Sequence, residues 1–141
     1  MQYHELLQLY FDRSIALQWY WTIYVIIVGG LLAFSSLRKR RDIATTLLLT
    51  ILFACFAYKN LGAIEDTTLE REAILSVIKE HVPKLGADQV TVARLRERLE
   101  PTLAPSTRNE VRYFHLASDL LTIAAIWAME VRRRKAANED T

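Results

Sequence analysis

The sequence predicts an all-α fold: an integral membrane bundle of three transmembrane helices with a short helical extracytoplasmic loop region. Three observations carry this. Across 141 residues the apolar side chains come in blocks, where a soluble domain of this size would disperse them at helix or strand period. From Ser14 to Leu37 there are 24 residues without a formal charge, more than the roughly 20 that a hydrocarbon core of about 30 Å requires of a helix. Short basic clusters abut the blocks, the pattern expected at the faces of a membrane. The mean hydropathy of the whole chain is only slightly positive, because the charged stretch from Glu65 to Arg112 is averaged with the blocks. Residues 1–141 read as a single membrane domain.

The first span is placed at about 14–37. Its flank "MQYHELLQLYFDR" is too acidic, and the block too long, for a cleaved signal peptide, so the segment is expected to remain as an anchor. Gln18, Trp19, Tyr20, Trp21 and Tyr24 cluster near its outer end. The aromatic ones read as an interfacial belt, with Trp127 a weaker counterpart near the opposite face. Gly29 and Gly30 give a point of close approach or a mild kink.

The second span, about 43–64, carries one formal charge, Lys59. Cys55, the single cysteine, lies inside it; it can make no intrachain disulfide and reads as a small apolar residue. Residues 65–107 are expected to form an amphipathic helical loop. "TTLEREAILSVIKEHV", residues 67–82, opens with Thr67 and Glu70 in capping-box spacing and stops at Pro83. "DQVTVARLRERLE", residues 88–100, has Asp88 as N-cap and an apolar stripe of Val92, Leu95 and Leu99.

Thr107 and Glu110 form a second capping box, which starts the third span, about 108–131, a turn or more before the membrane. Only the ten residues from Leu120 to Met129 are free of ionisable groups. Parity supports a crossing nonetheless. Arg38, Lys39, Arg40 and Arg41 join spans one and two, and Arg132, Arg133, Arg134 and Lys135 open the tail 132–141. A third crossing puts both clusters on one side, which the positive-inside rule makes cytoplasmic. The inner clusters and the long loop each hold eight Lys and Arg, so counts alone do not orient the chain. Density at the membrane edge does, because the loop's eight cations are interleaved with nine acids. The expectation is a multi-pass inner-membrane protein with its N-terminus outside and its C-terminus cytoplasmic.

Charges within the spans mark candidate functional residues. From a rise of about 1.5 Å per residue, Lys59 lies about 7 Å and Asp119 about 9 Å inside the same boundary. Such groups are costly in hydrocarbon and normally face the bundle interior and pair. Three readings of Lys59 stand open: snorkelling to the headgroups, a structural ion pair with Asp119, and a proton or ion site. His115, four residues before Asp119 and on its face, is expected at the interface. Asn60 and Gln18 complete the expected polar layer.

The sequence holds no Gly-rich phosphate loop, no Cys or His set at metal-ligand spacing and no Ser-His-Asp ordering. No cofactor is implied. A net charge of +2, and Arg94, Arg96 and Arg98 interspersed with Glu97 and Glu100, argue against nucleic acid. Ala124 and Ala128 make a small-xxx-small pair, with Ala117 and Ala125 on neighbouring positions. The expected function is non-enzymatic: besides the lipid bilayer, the partner is another copy of the chain or a protein of a membrane complex. An oligomeric pore or proton-transport component using Lys59, His115 and Asp119 is the alternative. A lipid-modifying enzyme at the outer leaflet using His115 and Asp119 is third.

Overall fold

A computed structural model describes residues 3–80 and 106–139. The expected helix at 88–100, with Arg94, Arg96 and Arg98, lies outside the described residues. Three helices follow in order, α1 Tyr3–Leu37, α2 Ile43–Glu80 and α3 Arg108–Glu139. Among the described residues there is no strand, and each helix is long and apolar enough to cross a membrane. The fold class is therefore the one read from the sequence.

Their lengths exceed the expected spans. α1 has 35 residues and α2 has 38, about 52 and 57 Å at the helical rise, against a hydrocarbon core of about 30 Å. The surplus lies at one end, where α1 and α2 continue side by side. Leu6 and Tyr10 pack there on Leu75 and Ile78, Arg13 pairs with Glu70 at 3.2 Å, and Arg71 donates to the Tyr10 hydroxyl at 2.9 Å. The helix expected to begin at Thr67 is thus the continuation of α2. The Thr67 hydroxyl donates to the carbonyl of Ala63 and that of Thr68 to Ile64. A threonine caps only where the backbone leaves the helix; inside one its hydroxyl bonds back by one turn.

The second capping box does start a helix. The Thr107 amide donates to Glu110 at 2.9 Å, the Glu110 amide faces the Thr107 hydroxyl at 3.4 Å, and α3 begins at Arg108. Asp42 caps α2 in the same manner, accepting from the Thr45 amide and hydroxyl.

Four interhelical contacts fix the register of α2 against α3: Glu65 with Arg108, Asn60 with His115, Thr50 with Trp127, and Thr46 with Glu130. The pairs run in opposite senses along the two helices, as antiparallel neighbours must. Below the polar layer, Tyr24, Phe53 and Ala57 form the central cluster with Val28, Leu31 and Ile123 against it. Outward, Val25, Ile26, Leu52, Leu120 and Leu121 are each more than half exposed, the surface of a helix bundle whose solvent is lipid.

Candidate functional site

Asp119 is the centre of the site. Its Oδ1 accepts from the Tyr24 hydroxyl of α1 at 2.8 Å, and its Oδ2 lies 2.8 Å from Nδ1 of His115. Nε2 of His115 faces Nδ2 of Asn60, on α2, at 3.2 Å. One chain of hydrogen bonds, Tyr24–Asp119–His115–Asn60, therefore ties all three helices together. His115 and Asp119 meet because they stand one turn apart on α3, four residues along a 3.6-residue period.

This centre is shielded. His115 is fully buried and Asp119 and Asn60 are buried. The Tyr24 ring lies 4.4 Å and the Trp21 ring 5.7 Å from the imidazole, centroid to centroid, and Phe114 stands edge-on to Trp21 at 5.7 Å. An Nδ1–H donating to the Asp119 carboxylate, with Nε2 accepting from the Asn60 amide, satisfies every link of this chain. Nε2, the nitrogen that would activate a nucleophile, is occupied by Asn60. Among the described residues, no group of three or more His, Cys, Asp or Glu is placed to hold a metal.

The expected polar layer is redistributed. The Lys59–Asp119 pair does not form: Lys59 is exposed, and its ammonium stands 6.0 Å from the centroid of its neighbour Tyr58. The reason is azimuth. Phe53, Ala57, Asn60 and Ile64 make the inward stripe of α2, and the residue before Asn60 is turned about 100° away from it. Gln18 is exposed as well, its carbonyl accepting from the Thr22 hydroxyl. His115, expected at the interface, is in the interior. Of the aromatic residues, Trp19 is exposed, Tyr20 and Trp21 are half-buried, and Tyr24 is not a belt residue but a buried donor. Trp127 donates to the Thr50 hydroxyl of α2 at 3.1 Å. Gly29 and Gly30 approach nothing: no atom lies within 4 Å of where a Cβ would stand on either.

A second polar centre sits at the basic end, and the sequence reading did not single it out. Glu130 of α3 is fully buried. Its Oε2 accepts from the guanidinium groups of Arg38 at 2.8 Å and Arg133 at 3.0 Å, and its Oε1 from the Asp42 amide at 3.1 Å. The Thr46 hydroxyl, which accepts from Arg38, lies 3.2 Å from the same carboxylate. Arg133 also donates to the carbonyls of Ser35 and Arg38 at 2.6 and 3.3 Å, filling acceptors that the C-terminus of α1 leaves open. Members of both basic clusters thus meet on one carboxylate, which puts the clusters at the same end of the bundle. Lys39, Arg40, Arg41, Arg132 and Lys135 stay exposed, and Arg134 is half-buried. A signal for Glu130 was present: an acid i, i+3 from Arg133 at the mouth of a basic run.

No family model, curated protein or solved structure matches the chain.

Proposed function

We propose that the chain is a multi-pass inner-membrane protein, N-terminus outside and C-terminus cytoplasmic, that acts without catalysis, by association with further copies of itself or as an accessory subunit of a membrane complex. The observation that carries this reading is where the small residues stand. Within one chain the helices are joined by buried polar contacts and by Tyr, Phe and Ile side chains. Ala57 belongs to the central cluster, but Ala117, Ala124 and Ala128 are exposed along one stripe of α3, and no atom lies within 4 Å of where a Cβ would stand on Gly29 or Gly30 of α1. Small residues in spans serve close helix approach, since burial from water supplies no drive between helices in lipid. Left uncovered by the chain itself, they suit a helix from another chain.

The orientation is supported by two basic clusters at the end that would face the cytoplasm, where an inside-negative potential of 100 mV favours each charge by about 2.3 kcal/mol. The test is native mass measurement of the full chain in mild detergent, with crosslinking in its own membrane. The wild type should give a defined multimer or a defined hetero-complex. Ala124→Leu combined with Ala128→Leu should weaken it by about tenfold, with helicity unchanged because both positions are outside the packed interior. A monomer at every concentration, with no crosslinked neighbour, would overturn the proposal.

A further inference from the structure

Lys59 places a cation on the lipid-facing surface of α2 with no acid bonded to it among the described residues. One turn on, Gly62 has no atom within 4 Å of where a Cβ would stand, and a further turn on is the exposed carboxylate of Asp66. The spacings i, i+3 and i+7 put all three on one face. The glycine is a notch, with a cation on its membrane side and an anion on its water side. Arg112 of α3 borders the same cleft of about 510 Å³. Glu65, also on its wall, is already engaged by Arg108 at 2.7 Å and Arg112 at 3.6 Å. Asp66 is therefore the acid left for a ligand.

A ligand for this notch must carry an anion deeper in the membrane and a hydrogen-bonding cation further out. A phospholipid with a primary-amine headgroup has that order along the membrane normal: phosphate next to the acyl glycerol, ammonium beyond it. Lys59, its stem in hydrocarbon and its ammonium reaching outward, meets the phosphate as a point charge. Asp66, about 10 Å further along the helix axis by the rise per residue, meets the amine by a charge-assisted hydrogen bond. A choline headgroup offers no N–H and an acidic glycerol headgroup no cation. We propose that the Lys59–Gly62–Asp66 face of α2 is a binding site for a phosphatidylethanolamine-type lipid in the leaflet at the α1 N-terminal end.

The experiment is native mass spectrometry of the full chain released from vesicles of equal parts phosphatidylethanolamine, phosphatidylcholine and phosphatidylglycerol, the mass of each retained lipid reporting its headgroup. Wild type should retain about five ethanolamine lipids for each choline or glycerol lipid retained, the ratio that one net hydrogen bond of ordinary strength supplies. Asp66→Asn should keep a bound phospholipid and lose the headgroup preference. Lys59→Gln should lose retention of all three. Gly62→Leu should also abolish retention by filling the notch, with helicity unchanged, because space is free at that position. Retention that follows the bulk ratio in wild type, or that survives all three substitutions, overturns the site. Displacement of the lipid by excess water-soluble glycerophosphoethanolamine would overturn the lipid as its natural occupant.

Discussion

Single side chains decide more here than their hydropathy suggests. Lys59 and Asn60 are neighbours in sequence at one depth, yet Asn60 touches the buried imidazole while Lys59 faces outward. A sequence gives depth, since each residue adds a fixed rise, but azimuth is set by which stripe packs inward, and the apolar residues of a span surround the helix on every side. Tyr24 shows the same limit: residue type places it with Trp19 to Trp21, whereas its greater depth fits a partner inside the bundle. Glu130 is the residue whose loss should be felt most. Glu130→Ala would leave Arg38 and Arg133, whose side chains are 14% and 12% exposed, facing each other without the carboxylate between them. Removing one partner of a buried ion pair costs about 3 kcal/mol or more. Reversible unfolding of the full chain in mixed micelles should show a loss of that order for Glu130→Ala. A loss below about 1 kcal/mol would mean that water, not the carboxylate, already satisfies the two arginines.

Among the helices, existence was legible and extent was not. Long charge-free runs announce α1 and α2, and the Thr107–Glu110 box announces α3 at the residue where it begins. The Thr67–Glu70 box carries the same spacing and starts nothing, because the stretch before it holds no proline and only the isolated Gly62, too weak a break to end a helix. The helical extension of α1 back to Tyr3 was hidden by polar residues whose partners, Arg71 and Glu70, lie far along the chain. The start of α2 has a measurable acid-base signature. The Thr45 hydroxyl and amide hold the Asp42 carboxyl below the usual carboxylate range. A group with a depressed folded-state value stabilises the fold fully above the unfolded value, about 3.9 for Asp, and that contribution is lost as pH falls through the lower folded value. Asp42→Asn keeps the capping acceptor and removes the titration. Thermal midpoints recorded between pH 7 and pH 3 should fall less steeply for this variant than for wild type; equal slopes would show that the cap is not formed.

On the scale of the molecule, the bundle is held at two heights by polar centres drawing on every helix, Asp119 near one end and Glu130 near the other. Between them the contacts are apolar apart from the Trp127–Thr50 hydrogen bond, and the outward faces are left for lipid or for a second chain. Three crossings could be inferred from parity, because two basic clusters on one side require an odd number of spans; the meeting of Arg38 and Arg133 on Glu130 is the physical form of that inference. What parity could not supply is which groups close the interior. The central claim is that Asp119 is an inward group shared by α1 and α3 and not the partner of Lys59. Double-mutant cycles on the full chain in bicelles test it most directly. Tyr24→Phe against Asp119→Asn should show a coupling of about 1 kcal/mol, as buried polar contacts between membrane helices do, and Lys59→Gln against Asp119→Asn should be additive within about 0.3 kcal/mol. Additivity in the first cycle together with coupling in the second would contradict the account.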